Sequence, residues 1–219
     1  MTNRLASKIS ALPVGDGTRD RILAAAIQMF SRIGYEGVSI RELERSAGVN
    51  RGLVAYHFNS KETLWKAVIA WMMERFHEEF TPYRQLFSDM NPRERERLLR
   101  TVYVRFSAKH PEFFRILLLE GGRDSSLAEW LVREHIRPSV DFFAKMANHR
   151  LDYSSTEEAI GYFSFLGAAS TASALQGISH AMFGVDSTSA GFVDALAAEV
   201  ASNSSFLARR GGTEPTETS

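Results

Sequence analysis

Four residues between positions 51 and 61 could form hydrogen bonds and ion pairs with an anion. Arg51 and Lys61 are cationic donors, and Tyr56 and His57 add a phenol and an imidazole. The charge balance has the matching sign: residues 1–66 contain ten Lys and Arg against six Asp and Glu, whereas the rest of the chain contains 16 against 20. This asymmetry is expected of a protein whose N-terminal part binds phosphate and whose remaining part is neutral or acidic.

The spacing of the polar residues does not assemble a catalytic site. The chain has no HExxH, G-x-S-x-G or P-loop pattern, and the glycine clusters at 15–17 and 120–122 lack a flanking strand. Cysteine is absent, which excludes disulfides and thiolate metal sites and fits a reducing cytoplasm. We therefore expect a cytoplasmic protein that is not an enzyme and has no cofactor. A metal site formed by His135, His149 and His180, on different predicted helices, stays open as an alternative.

Short amphipathic segments must position the residues at 51–61. Apolar residues recur at spacings of three and four from Thr18, the predicted N-cap of a first helix, to Gly34, where that helix should end. Ser39, followed three positions later by Glu42, predicts a capped second helix.

A turn of small residues at 46–49 follows the second predicted helix. Gly48 can adopt the positive φ that ends a helix, Asn50 is the predicted cap of a third helix, and Ser60 that of a long fourth one. Because helices this short are not stable separately, they must cross over each other and over the first helix. The pattern predicts a helix-turn-helix whose exposed side, residues 50–57, has the width of the DNA major groove.

The stretch AGVNRGLVAYHFNSKETLW resembles the end of the DNA-binding domain of the TetR family of one-component transcriptional regulators. The likeness spans Arg19–Trp65 and includes the preceding pattern ILAAA---F---GY-G-S-REL. It implies that Ser39 and Arg41 face phosphate from a helix start. The DNA-binding residues that the resemblance implies are Ser39, Arg41, Asn50, Arg51, Gly52, Leu53, Ala55, Tyr56, His57 and Lys61.

The resemblance also implies how individual residues would contact DNA. Arg51 is the only long cationic donor of the third helix and suits guanine O6 and N7, while Gly52 lets the helix backbone come close. Tyr56, His57 and Lys61 match family positions that contact phosphates.

Two positions depart from the family's usual pattern. Leu53 stands where a small polar residue is common, and Ala55 replaces a frequent tyrosine. One hydrogen bond per subunit would be missing, and apolar contact with thymine methyl groups is the expected substitute. The plainer interpretations are that Tyr56 and His57 pack in the core and that Arg51 is merely a surface residue.

Apolar spacing predicts helices in the rest of the chain as well. The expected fold class is all-α: an N-terminal three-helix helix-turn-helix domain and a larger C-terminal helical bundle, with about nine helices in all. The later helices are predicted at about 92–109, 111–120, 125–147, 156–183 and 187–209. The expected division is a flexible arm at 1–17, a DNA-binding domain at 18–66, a ligand-binding and dimerisation domain at 67–210, and a disordered tail at 211–219.

Aromatic residues are dense beyond residue 65, and most of them are expected in the core. The family resemblance adds the interpretation that some line a closed pocket for an apolar effector, with a histidine and a glutamine as polar handles. The predicted ligand-binding residues are Phe106, Phe114, Trp130, His135, Phe143, Phe165 and Gln176.

Residues 159–185 contain no Asp, Glu, Lys or Arg. Interspersed polar residues disfavour a membrane span and favour a helix buried between protein surfaces. Small residues there would allow close helix packing: Gly161, Ser164, Gly167, Ala168, Thr171 and Ala172. The last helix adds an apolar stripe: Phe192, Leu196, Val200 and Leu207. These two helices predict a homodimer interface, and a twofold dimer would read half-sites about 34 Å apart.

The function expected from the resemblance is that of a one-component, ligand-responsive repressor. It would bind a palindromic operator as a homodimer and be released by a small apolar effector. A metal-responsive or ligand-independent DNA-binding regulator is the alternative. A helical interaction module that does not bind DNA is a further one.

Overall fold

The structure, a computed structural model, describes residues 17–83, 86–147 and 149–202. Within these ranges the chain is helical and contains no strand, so the predicted all-α fold class is confirmed. The helices are α1 (Thr18–Gly37), α2 (Ile40–Ser46), α3 (Leu53–Phe58), α4 (Lys61–Phe80), α5 (Pro92–Lys109), α6 (Pro111–Gly121), α7 (Ser126–Leu131), α8 (Arg137–Met146), α9 (Thr156–Ala174), α10 (Gln176–Phe183) and α11 (Ala190–Ser202). Leu207, the predicted tail and all of the predicted arm except Gly17 lie outside the described residues.

The chain forms two compact units. Over the described residues, the first unit comprises 17–79 and 106–136, and the second comprises 80–105 and 137–202. The predicted domain boundary after residue 66 stays a prediction. The first unit contains all three tryptophans: Trp65, Trp71 and Trp130.

α1 forms because its apolar residues fall on one side, where Ile22 and Phe30 are fully buried. Gly34 ends the regular helix with a φ of 72°, as predicted, in a conformation that glycine adopts without a steric penalty. The prediction that Thr18 caps α1 is wrong. The cap position is Gly17, whose carbonyl accepts hydrogen bonds from two amides of the first turn at 3.1 Å each, so Thr18 is already helical.

α6 packs against α1 and holds the chain where that helix ends. The amide of Tyr35 donates to the Glu120 carboxylate, with an N–Oε1 distance of 2.7 Å. Glu120 is only 2% exposed, and a Cβ on Gly34 would lie 3.1 Å from the same oxygen. The carboxylate therefore fits closely only against a glycine.

A cluster of aromatic rings fills the core of the first unit. The Phe106 ring centroid lies 4.9 Å from that of Phe76, 6.2 Å from that of Phe114 and 4.8 Å from that of His110. Burial lowers the pKa of His110 to about 4, so this imidazole is neutral at pH 7.

The arginine of a buried ion pair within α5 links this helix to α11 in the second unit. Arg100 of α5 pairs with Glu96, with an Nη2–Oε1 distance of 2.9 Å, and both side chains are 10% exposed. The same guanidinium donates to the Val200 carbonyl at 3.1 Å, which joins α5 to the last turn of α11. In the same unit, the rings of Tyr103 and Phe165 lie 4.9 Å apart.

The helix predicted at 125–147 is interrupted. α7 is followed by a π-helical turn at Val132–Ile136 before α8 begins. Pro138 has no amide hydrogen, so the regular hydrogen-bonding pattern cannot continue through it.

The helix predicted at 156–183 is also broken, at Leu175, where φ is −105° and ψ is 40°. The Ala172 carbonyl accepts hydrogen bonds from the hydroxyls of Ser187 at 2.8 Å and Ser179 at 3.3 Å. Both hydroxyls therefore bond to the carbonyl that lies three residues before the break. In the part of the chain that the structure describes, no helix is long and apolar enough to cross a bilayer.

Candidate nucleic-acid interface

The turn between α2 and α3 is fixed at both sides. Ser39 caps α2, because its hydroxyl accepts from the Glu42 amide at 3.2 Å and donates to the Glu42 carboxylate at 2.9 Å. Gly48 ends α2 with a φ of 63°, as predicted. From α1, the Arg21 guanidinium donates to the Gly48 carbonyl at 3.3 Å. The predicted helix-turn-helix is therefore present, and α1 supports its turn.

α3 begins later than the sequence predicts. Asn50 is not the N-cap: that position belongs to Gly52, whose φ of 91° keeps it out of the regular helix and which has no side chain to cap with. The Glu44 carboxylate of α2 supplies the cap, because its Oε1 accepts from the amides of Gly52 at 2.8 Å and Val54 at 3.2 Å. Sequence reasoning missed this residue. The available signal was an acidic side chain on the inner side of α2.

α3 turns one side inward and the other to solvent. Val54 and Phe58 are 1% and 3% exposed and anchor the helix in the first unit. Arg51 and Ala55 are exposed, and Tyr56 is 78% exposed. Core packing therefore does not account for Tyr56. The outward side of this segment can meet a large partner without rearrangement of the helix.

A second group of predicted contact residues continues from α3 into α4. His57 is half-buried, and its ring centroid lies 5.0 Å from that of Tyr56 in an edge-to-face arrangement. Lys61 lies in the first turn of α4, with its ammonium nitrogen 4.3 Å from the centroid of the Tyr35 ring. Ser60 caps this helix by accepting from the Thr63 amide at 3.0 Å, as predicted. The cation and the amides of the first turn both favour an anion at this end.

The remaining predicted contact residues differ in what already surrounds them. Asn50, Gly52 and Arg41 are exposed, and Leu53 is half-buried at the start of α3. The hydroxyl of Ser39 is exposed but occupied by its capping bonds, so a phosphate has to compete there with a carboxylate. The DNA contacts of all ten residues stay predictions.

Four of the seven predicted effector-binding residues belong to the first unit. Phe106 and Phe114 are 1% and 2% exposed and pack in the ring cluster of the core. Trp130 is half-buried, with its ring centroid 5.8 Å from that of Trp65 and 4.9 Å from that of His135. Burial holds the pKa of His135 below its usual value, which favours the neutral form of its ring.

The other three belong to the second unit, where all are half-buried. The Phe143 ring centroid lies 4.5 Å from that of Phe80, and Phe165 packs on Tyr103 and under the Arg100 guanidinium. Gln176 begins α10. Their role in effector binding stays a prediction.

The histidines considered as metal ligands lie in different settings. His149 approaches Glu158, with an Nε2–Oε1 distance of 3.5 Å. Over the described ranges, His135, His149 and His180 are not part of any group of three or more His, Cys, Asp or Glu residues that could hold a metal.

A short helix that packs on the two helices before it and exposes its other side has the arrangement of the recognition helix in the helix-turn-helix class of DNA-binding proteins. Comparison with known proteins agrees with this class. Residues 22–68 match the model of the bacterial regulatory proteins of the tetR family, and the fold of the chain is that of TetR-like regulators of known structure. The predicted resemblance to the TetR family of transcriptional regulators is therefore confirmed over residues 22–68. The relatives and solved structures that match are named as regulators rather than enzymes, which agrees with the expectation that the chain is not an enzyme.

Relatives and solved structures support the assignment over different lengths. The transcriptional repressor NicS of Pseudomonas putida is 33% identical over 105 residues, which are 48% of this chain and 49% of NicS. The chain therefore spans about half the length of this curated relative. The fatty acid degradation regulator FadR of Bacillus halodurans has a TM-score of 0.60 at 15% identity, covering 86% of this chain and 96% of its own. A TetR-like regulator of Rhodococcus sp. RHA1 has a TM-score of 0.59 at 20% identity, covering 84% and 92%.

Proposed function

We propose that the protein is a repressor that binds a palindromic operator as a homodimer and leaves it when a small apolar effector binds. The outward side of α3 carries the proposal, since Arg51 and Tyr56 are exposed there while Val54 and Phe58 anchor the helix. NicS, which is similar over about half its length, is named a repressor, and this supports repression rather than activation.

α3 would read only a few base pairs. Its six residues span about 9 Å at 1.5 Å per residue, the length of about three base-pair steps. Arg51, just before the helix, would donate to guanine O6 and N7, while Leu53 and Ala55 would present apolar surface to thymine methyl groups. Because α3 would contact so few base pairs, a second copy of it is needed to select one operator among many sites.

Phosphate contacts would fix the helix in the groove. Tyr56 and His57 follow Leu53 and Ala55 on α3. Lys61 adds a cation in the first turn of α4. Arg41, near the start of α2, would contact phosphate from the other side of the turn. Ser39 would join it only by giving up its bond to a carboxylate.

Exposed apolar residues on α9 and α10 support the homodimer. Phe163, Met182 and Phe183 are 66%, 68% and 72% exposed, and monomeric proteins rarely expose extensive apolar patches. Of the stripe predicted on α11, Val200 is buried within the second unit, whereas Phe192 and Leu196 are half-buried. The proposed interface therefore lies mainly on α9 and α10. Small predicted contact residues are exposed along α9: Ser164, Ala168 and Thr171.

The chemistry of the predicted effector residues supports an uncharged ligand. Phe165 and Trp130 are half-buried aromatic residues, and burial lowers the pKa of His135, which favours its neutral form. Gln176 is the polar handle on α10. Release of DNA requires that the effector bind one arrangement of the two DNA-binding domains more tightly than another.

Operator selection from random DNA with the full chain tests DNA recognition. Arg51→Ala should lose about 1–3 kcal/mol of discrimination at one base pair of each half-site. Arg32→Ala removes an exposed cation of α1 and serves as the matched control. Equal losses on every sequence would show that Arg51 does not read bases. A wild-type protein that selects no sequence, or whose binding is insensitive to salt, would overturn the proposed function.

Sedimentation analysis tests the homodimer. Combining Phe163→Ser with Met182→Ser should shift the protein to monomers, because it replaces two exposed apolar side chains of the proposed interface. Ile33→Ser, at a residue of the first unit that is 49% exposed, is the control and should leave the dimer intact. A monomeric wild type, or a double variant that dimerises normally, would contradict the proposed interface.

A further inference from the structure

α3 has no N-cap side chain of its own. α3 contains six residues, fewer than an isolated helix needs for stability in water. Its N-cap is Gly52, which has no side chain and stands at a φ of 91°. The first amides of α3 therefore need an acceptor from elsewhere in the fold.

Glu44 provides that acceptor and also holds the turn. One carboxylate oxygen accepts from the amides of Gly52 at 2.8 Å and Val54 at 3.2 Å. The main-chain carbonyl of the same residue accepts from the Val49 amide at 3.0 Å. Glu44 is 4% exposed, so it does not itself reach solvent or a bound duplex. A single residue of α2 thus sets both the end of the turn and the start of α3.

We propose that Glu44 is a positioning residue for base recognition, a role that rests on the function proposed above. The two bonded amides flank Leu53, and one of them directly follows Arg51. A bidentate contact of Arg51 with guanine tolerates little displacement of the backbone that carries it. By holding these amides, the Glu44 carboxylate fixes the direction from which Arg51 and Leu53 approach the base edges.

A general contribution to stability would give a different result. If Glu44 only stabilised the fold, its loss would lower the population of folded protein and weaken binding to every DNA sequence alike. If it positions α3, its loss should reduce the preference among sequences while phosphate contacts persist. The discriminating quantity is therefore the ratio of affinities for two operators, measured on folded protein.

The variants can separate the cap from packing. Glu44→Met keeps a side chain of similar length in the buried space but removes the acceptor. Glu44→Gln keeps one oxygen that can accept from the same amides, so it should restore the wild-type result. Ser125→Ala is the control: Ser125 caps α7 in the same unit by accepting from the Ala128 amide at 3.2 Å.

The first measurement needs no DNA. Amide hydrogen exchange by NMR should show protection at Gly52 and Val54 falling about fivefold in Glu44→Met, the equivalent of one lost cap. The other amides of the first unit should keep their protection. In Glu44→Gln, the amides of Gly52 and Val54 should be protected as in the wild type. Unchanged protection at these two amides, or an equal fall throughout the unit, would overturn the proposal.

The second measurement compares the selected operator with a version altered at the base pair that Arg51 prefers. In Glu44→Met the ratio of affinities should shrink about fivefold or more, while Glu44→Gln and Ser125→Ala should keep the wild-type ratio. A ratio that Glu44→Met leaves unchanged, or that Ser125→Ala reduces equally, would overturn the positioning role. Failure of the wild type to prefer any operator would instead refute the proposed function, and the exchange data would still show whether the cap exists.

Discussion

Replacing Gly34 with alanine should destabilise the first unit through the backbone itself. Gly34 has a φ of 72° and a ψ of 173°, a region that is almost restricted to glycine and costs other residues about 1–3 kcal/mol. The new Cβ would also lie 3.1 Å from the Glu120 Oε1. That oxygen cannot easily move away, because it accepts from the Tyr35 amide at 2.7 Å. The expected loss is therefore in the upper part of this range.

Urea unfolding followed by far-ultraviolet circular dichroism measures the loss. Gly121→Ala is the matched control: Gly121 is the last residue of α6, its φ is not positive, and no atom beyond its own helix lies within 4 Å of the place that the new methyl carbon would take. The control should change the free energy of unfolding by no more than about 0.5 kcal/mol.

A combined Gly34→Ala and Glu120→Ala variant separates the two causes. Removing the carboxylate relieves the crowding but not the backbone strain, so the two changes should cost less together than the sum of their separate costs. If Gly34→Ala unfolds at the same urea concentration as Gly121→Ala, the reasoning from φ and from the contact is refuted.

Two further predictions concern titration and buried charge. Burial lowers the pKa of His110 to about 4, below the value of about 6.5 in the unfolded chain, so the unfolded state takes up the proton first. The free energy of unfolding should therefore fall as the pH drops from about 6.5 to 4, with a slope that His110→Asn reduces; an unchanged slope would contradict this. In the second unit, Arg100→Met leaves the buried Glu96 unpaired and should cost about 3–5 kcal/mol in urea unfolding. Arg105→Met breaks an exposed pair with Asp194 and should cost at most about 1 kcal/mol, so equal losses would refute the comparison.

Features governed by neighbouring residues could be predicted from the sequence. Ser39 and Ser60 cap α2 and α4, and Gly34 and Gly48 take positive φ values, because caps and left-handed turns depend on a few adjacent positions. The same local signals gave the all-α class and the helix-turn-helix. The interruption before Pro138 had a local signal as well, the missing amide of proline.

Features that depend on residues far apart in the chain could not be predicted in this way. At the break after α9, the Ser187 hydroxyl donates to the Ala172 carbonyl, fifteen residues earlier. The true start of α3 requires the Glu44 carboxylate to replace the cap expected of Asn50. In both cases folding brings a side chain to a main-chain group that sequence spacing alone does not pair with it.

The positions of Trp65, Trp71 and Trp130 give the unmodified protein a built-in optical reporter. Because every indole belongs to the first unit, intrinsic fluorescence reports on the half of the chain that contains the helix-turn-helix. An extrinsic dye attached to a cysteine introduced into the second unit would not compete with a native thiol, since the sequence has none. Tryptophan fluorescence and dye fluorescence would then follow the unfolding of the first and the second unit in a single sample.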